Sequence, residues 1–526
     1  MKTILSAAAL SLLSLQGAYA QNNITVPILP GECWWGAATN LGPQMPFEGD
    51  TRVFDLHAED FNNQTGPLMV SSKGRYLWCD AAYTLQQKDS TLLLASPEAD
   101  ITLSEAGTTL RDAYLAVSKH FPPSGQIPPE LFFTRPIYNS WIELTYDQNQ
   151  ADIMRYAKGI IDNGMEPGVL MIDDNWQRDY GDWEFRAERF PDPKGMIDEL
   201  HRMGFKVMLW VCPFVSPDCK LFRDHRDLFV RVKDDWHPAI VEWWNGHSAS
   251  YDFSNPAAYK FFVDQLDDLQ KRYGVDGFKF DAGDPERYQR QNVDVHDGHS
   301  FDIEQSRLWA QLAKQYPYNE LRACWGEQSQ PLVQRLGDKP YSWKGVGDLV
   351  PAMINAGLLG YQFTCPDMIG GGDYATFLGV KVEDFDPALI IRSCQIHSMM
   401  PMMQFSVAPW RILKSEYMDI VRHYADLHVQ MGDYILEEAR KAAETGEPIV
   451  RHMDYSFPGE GFETVTDQYM LGERYLVAPV ATPDFQRTVK LPKGKWRDEQ
   501  GKVYKGGKTY TIDVPLERLP YFERVK

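Results

Sequence analysis

Beyond its first twenty residues the chain has no apolar run long enough to span a bilayer, so no integral membrane segment is expected. Cysteine is scarce, with seven in 526 residues and no CxxC pair. The odd count excludes complete internal pairing, and all but Cys33 read as small buried apolar residues. Cys212 and Cys219 are spaced to bridge a loop, but no motif around them calls for a disulfide. There is no HExxH, no EF-hand loop and no Cys/His cluster, so neither a metal centre nor a cofactor is predicted. Basic residues are the minority: 53 Lys and Arg against 73 Asp and Glu, a formal charge of −20. That balance disfavours nucleic acid and anionic membrane surfaces as partners. No internal repeat of 20–50 residues is visible.

The N-terminus, MKTILSAAALSLLSLQGAYA, is the one membrane-directed signal. Lys2 precedes an apolar stretch from Ile4 to Leu15, and Ala18-Tyr19-Ala20 is a small-x-small cleavage site. This pattern predicts a signal peptide over residues 1–20 and an exported protein, periplasmic or secreted. Aromatic content is 13%, with 15 Trp. Most of these rings belong in the core, but an excess of Trp and Tyr also suits stacking on sugar rings.

Residues 21–125 carry short alternating runs such as GRYLWCDAAYTLQ and STLLLAS, split by Gly, Pro, Asn and Asp, which predicts an N-terminal β-sandwich. The Pro-rich stretch PPSGQIPPE, residues 122–130, marks a boundary. The rhythm then changes over residues 131–440. QNQADIMRYAKGIIDNG, PKGMIDELHRMG and AAYKFFVDQLDDLQKRYG read as helices ending at Gly. They alternate with the strand-like GVLMIDD, FKVMLWVCP and VDGFKFD. Strands alternating with helices build a parallel sheet. Polar groups recur at strand C-termini, as in Asp173-Asp174, Cys212-Pro213 and Asp281, so a (β/α)8 TIM barrel of the α/β class is expected. A doubly wound sheet would want a Gly-rich phosphate loop after its first strand, and none is present; Gly370-Gly371-Gly372 comes late and reads as a flexible loop. From residue 441 to 526 alternation returns, which predicts a C-terminal β domain.

VDGFKFDAGD is the most informative stretch. Val275, Phe278 and Phe280 read as core, yet Lys279 lies among them and Asp281 and Asp284 close the segment. An acidic residue is ordinarily a solvated surface charge. A carboxylate at the end of a buried barrel strand is where this fold places chemistry. Cleavage of a glycosidic bond needs two carboxyls, one ionised and one protonated. Lys279 shares a strand face with Asp281 and can hold it ionised or bind a sugar hydroxyl. The protonated partner should sit in a less polar setting or be raised by the nucleophile's charge. Asp284, Asp338, Asp348 and Asp367 are all open as that partner at this level.

FKFDAGD resembles the nucleophile motif of glycoside hydrolase family 31. DDNWQRDYGDWEF, VEWWNGHSASYDFSNPAA, GLLGYQFTCPDMIGG and MPMMQFSVAPWR resemble further segments of that family, in the family's order, over roughly residues 30–526. The resemblance implies Asp281 as nucleophile. It implies Asp338 as acid/base, because LGDKPYSW carries the family's Gly-Asp element with Arg322 sixteen residues upstream and Trp343 five downstream. It implies substrate contacts from Asp173, Asp174, Lys279 and Arg322, with Trp244 as an active-site wall. Lys339 replaces the family's usual Asn, the Asn-Glu after the nucleophile is missing, and Ser406 stands about where α-glucosidases of the family carry a sugar-binding His. These departures set the chain apart from plain α-glucosidases, and FKFDAG, IDDNWQ, YGDWEF, WWNG and MQFSVAPWR, with the spacing of 57 positions from Asp281 to Asp338, resemble the branch holding α-galactosidases and myogenesis-regulating glycosidase.

The expected activity is therefore a retaining exo-α-galactosidase acting on an oligosaccharide or glycoside. The rivals are the same chemistry on α-glucosides, α-xylosides or α-N-acetylgalactosaminides, transglycosylation, and a barrel that binds glycans without cleaving them.

Overall fold

A computed structural model describes residues 20–57, 63–288, 291–379, 381–382 and 385–525. The predicted export segment lies outside the described residues, apart from its last position. Eight parallel strands form the central sheet: β1 Ile137–Asn139, β2 Val169–Ile172, β3 Lys206–Val211, β4 Gly277–Phe280, β5 Tyr318–Leu321, β6 Gln334–Arg335, β7 Thr364–Cys365 and β8 Gln404–Phe405. β1 to β7 pair successively in chain order, and β8 pairs back onto β1 through Ile137 and Gln404. A parallel bridge from Ile369 to Phe405 joins the far side, so the barrel is nearly closed. That ring excludes a doubly wound sheet, whose strand order would leave two open edges.

The helices end where the sequence predicts. α1 Gln150–Asp162 and α2 Pro193–Arg202 run into Gly164 and Gly204, both left-handed. α3 Pro256–Tyr273 stops at Gly274 with φ 81°, and its Pro at the first turn follows an Asn255 cap. α4 Asp302–Ala313, α5 Leu349–Leu358, α6 Pro387–Ser398 and the long α7 Ser415–Thr445 complete the outer layer. No helix separates β5 from β6. The connection instead sends Cys324–Trp325 out to pair with Gln64–Thr65 of the N-terminal region.

That region forms two mainly antiparallel sheets. One contains Trp34–Ala38, Gln64–Ser71, Arg75–Cys79 and Ile101–Glu105; the other contains Asn23–Pro27, Thr84–Lys88 and Thr91–Ala95. It is tied to the barrel through buried amides. Asn355 on α5 donates to the carbonyls of Gly36 and Ala38 and accepts from the Gly36 N–H. Gln64, fully buried, donates from Nε2 to the carbonyls of Arg322 at 2.8 Å and Arg335 at 2.9 Å. The C-terminal region adds a six-stranded sheet with its own core around Trp496 and docks on α6, where buried Arg392 donates to the carbonyls of Val514 and Arg518. All seven cysteines are free, and only Cys33 is more than marginally exposed, so Cys212 and Cys219 do not pair. No helix of the described residues is long and apolar enough to cross a membrane.

Gln64→Leu preserves bulk but removes two donors from buried carbonyls. A buried acceptor left without its partner costs about 1–3 kcal/mol. The midpoint of denaturant unfolding should fall accordingly, and an unchanged midpoint would show that the two regions do not depend on this contact.

Candidate active site

Parallel strands bring all the predicted site residues to one end of the barrel. Asp281 follows β4, with its backbone N–H donating to the Val211 carbonyl of β3. Its carboxylate is buried, at 8% exposure. Oδ2 accepts from the Trp210 indole at 2.8 Å, and Oδ1 accepts from the N–H of Ala282 at 3.0 Å. Ala282 has φ 57°, a left-handed conformation that costs a non-glycine residue about 1–2 kcal/mol and turns this N–H back onto the carboxylate. Asn175 (φ 80°), after Asp174, and Asp367 (φ 77°), after β7, are strained in the same way. Strained residues of this kind cluster at functional sites.

Burial alone would raise the Asp281 carboxyl. The nearby charges of Lys279, Arg322 and Arg335 and the Trp210 hydrogen bond outweigh it and hold Asp281 below its ordinary range. Lys279 acts on Asp281 through its charge, while its ammonium is bound elsewhere. Its Nζ donates to Asp173 Oδ2 at 2.7 Å, and both side chains are buried. Burial disfavours the ammonium, but Asp173, Asp281 and Glu320 more than compensate, and it remains a cation.

Among the described residues Asp174 has no ion-pair partner. It accepts from Gln177, from the Tyr180 hydroxyl at 3.0 Å and from Asn245 at 2.7 Å, and Tyr146 in turn donates to Asn245. Burial, together with the charges of Asp173 and Asp281, pushes its carboxyl up to about 7. Trp244, next to Asn245 in the hairpin turn, is 45% exposed, and the Arg322 guanidinium lies 5.0 Å from its ring centroid. This is an aromatic face left open at the mouth.

Arg322 spans the two carboxylates. Its Nε is 4.0 Å from Asp281 Oδ1, and its Nη1 is 3.9 Å from Asp338 Oδ2. Nε also donates to buried Asp284 at 3.3 Å. The Asp338 side chain is 42% exposed. It borders a cavity of about 290 Å³ shared with Arg322, Lys339 and, from the N-terminal region, Asn40 and Asn63. The electrostatics of Asp338 differ from the expectation for a protonated partner. Partial desolvation at the cavity wall opposes its ionisation, but Arg335, Arg322 and Lys279 overcome it and hold the carboxyl below its ordinary range.

The loop predicted to be merely flexible has a packing role. A Cβ on Gly372 would lie 2.5 Å from Asp338 Cγ, and one on Gly371 would lie 2.2 Å from the Lys339 carbonyl. Only glycine allows that approach. Ser406 is buried, and its hydroxyl donates to the Gly371 carbonyl at 2.8 Å, so it holds this loop in place. Among the described residues no cluster of His, Cys, Asp or Glu is arranged to hold a metal.

Sequence reasoning missed Trp210, Asn245, Tyr180 and Arg335. Trp210 was signalled by its inward position near the end of KVMLWV, and Arg335 by its place three residues before Asp338.

Residues 138–438 match the TIM-barrel domain of glycosyl hydrolases family 31, and residues 446–525 match that family's C-terminal domain. The chain belongs to glycosyl hydrolase family 31. It is 33% identical over 419 residues to myogenesis-regulating glycosidase of Mus musculus, covering 77% of this chain and 58% of that one. It is 27% identical over 425 residues to an alpha-xylosidase of Emericella nidulans, covering 74% and 52%. The family 31 chain thus spans little more than half the length of these relatives. Its fold superposes on a family 31 dextranase of Flavobacterium johnsoniae, solved with glucose, at a TM-score of 0.83 and 19% identity, covering 97% of this chain and 68% of the other.

Trp210→Phe removes one donor from Asp281 and should raise its titration midpoint. In 13C NMR of labelled aspartates, the resonance that disappears in Asp281→Asn should titrate at higher pH in the Trp210 variant. An unmoved midpoint would mean that the indole does not stabilise the ionised carboxylate.

Proposed function

We propose that this chain is a retaining, exo-acting α-glycosidase and that its sugar is a terminal α-linked galactose. The observation that carries this reading is the buried carboxylate of Asp281, held ionised at the barrel mouth, with Arg322 reaching from it to Asp338. Asp281 attacks the anomeric carbon while Asp338 protonates the departing oxygen. Water activated by Asp338 then releases the sugar from the covalent intermediate. Asp173, Asp174 and Lys279 grip the remote hydroxyls, Arg322 contacts the substrate, and Trp244 walls the site.

The choice of galactose draws on the likeness to the branch named above. It also draws on Ser406: where α-glucosidases of the family bring a His to the sugar, this hydroxyl is committed to Gly371. The principal alternative is an α-xyloside, favoured by the likeness to a protein named as an alpha-xylosidase. Export through residues 1–20 would put the activity outside the cytoplasm.

A panel of 4-nitrophenyl α-glycosides (galactoside, glucoside, xyloside and N-acetylgalactosaminide), run beside Asp281→Ala, separates these readings. Release from the galactoside, lost by at least ~10³-fold in the variant, is the expected result, since losing the nucleophile removes ~4 kcal/mol or more of barrier lowering. Release from the xyloside alone would replace the sugar and keep the site. Release that survives in Asp281→Ala would refute the mechanism.

A further inference from the structure

Arg335 lies on β6 at 1% exposure and faces two carboxylates with one nitrogen. Nη1 donates to Asp338 Oδ1 at 2.5 Å and stands 3.4 Å from Asp367 Oδ1. Its Nε is 3.3 Å from Glu320 on β5, and its backbone carbonyl is held by Gln64. Asp367 is itself buried, fixed by the Lys339 N–H at 2.7 Å on its other oxygen, and has no part in the mechanism above. The remaining charges around Asp338 are Arg322 after β5, Lys279 on β4, and Lys339 beside it in the chain. Asp348, at the start of α5, lines the same cavity.

This arrangement poses a problem for an acid catalyst. A general acid must carry its proton when the leaving group departs. A carboxylate paired with a guanidinium resists protonation. One guanidinium nitrogen can neutralise only one of two facing carboxylates, so a second charge beside it is disfavoured.

We propose that Arg335 is a positioning residue that makes Asp338 and Asp367 share a single proton, held on Asp367 while the site is empty. The balance is one proton and one negative charge over two carboxyls, set against one guanidinium. Asp367 supports this assignment: burial and the adjacent Asp338 charge push it up to about 7. The inference rests on the reading of Asp338 as the acid/base.

The test is the pH profile of kcat/KM for methyl α-galactoside, whose leaving group needs a proton, beside 4-nitrophenyl α-galactoside, whose leaving group does not. The alkaline limb reports the acid. Arg335→Met removes a cation from Asp338 and should move that limb to higher pH by about 1–3 units. Asp367→Asn removes the competing negative charge and should move it to lower pH. Arg335→Lys keeps the charge and should leave the limb near its original position. These shifts should be clear with the methyl glycoside and weak with the 4-nitrophenyl one.

Loss of rate with an unmoved limb, or shifts of the same sign in the Met and Asn variants, would overturn the proposal. If Arg335→Met does not fold, the Asp367→Asn limb alone decides, and one that fails to fall refutes it. Asp338→Asn separates the two readings. Equal losses on both substrates would overturn the acid/base assignment and the shared proton with it. A loss confined to the methyl glycoside, with unmoved limbs in the other variants, would overturn the shared proton alone.

Discussion

A carboxylate that is buried and still ionised is the constraint around which this site is organised. Taking a charge out of water is costly unless cations and donors replace the solvent. Asp281 has Lys279, Arg322 and Arg335 near it and the Trp210 indole in contact. Lys279 and Arg335 are buried and Arg322 partly so, and each needs its own counter-ion. Lys279 is held by Asp173, Arg322 by Asp284, and Arg335 by Glu320, Asp338 and Asp367. The carboxyls therefore outnumber the cations. Burial, with neighbouring negative charge, pushes Asp174, Asp284 and Asp367 up to about 7, which lowers the cost of that excess. The retaining mechanism proposed above needs one carboxyl kept ionised as the nucleophile and another able to carry a proton.

The barrel makes this crowding possible because its parallel strands end together. Neighbouring strands place Trp210, Lys279 and Glu320 side by side in register. The left-handed residues at Asn175, Ala282 and Asp367 turn the chain abruptly at those ends. The N-terminal region contributes through Gln64, which fixes the backbone of both site arginines from outside the barrel. The missing helix between β5 and β6 leaves room for that contact, because the connection pairs with Gln64–Thr65 instead.

Much of this is readable from local sequence. The helices declare themselves by period and terminal Gly, and Asp281 stands out because a buried strand should not end in charge. What local sequence cannot carry is the partner of each charge. β6 is two residues long and has no period, so neither the strand nor Arg335 is predictable from pattern. The environment of Asp338 reverses the expectation of a less polar setting, because Arg322 and Lys279 arrive from two other strands to join Arg335 of its own. Gly370-Gly371-Gly372 resembles a flexible loop in sequence; the close approach to Asp338 and Lys339 that requires glycine exists only in the folded chain.

The most direct test of the central claim is to trap the covalent intermediate. A fluorinated galactosyl fluoride, whose glycosyl-enzyme hydrolyses slowly, should leave one sugar per chain. Peptide mass spectrometry should find it on the segment containing Asp281, as an ester of that side chain. A sugar attached to Asp338, Asp284 or another carboxyl, or turnover of activated substrate with inversion and no adduct, would contradict the account.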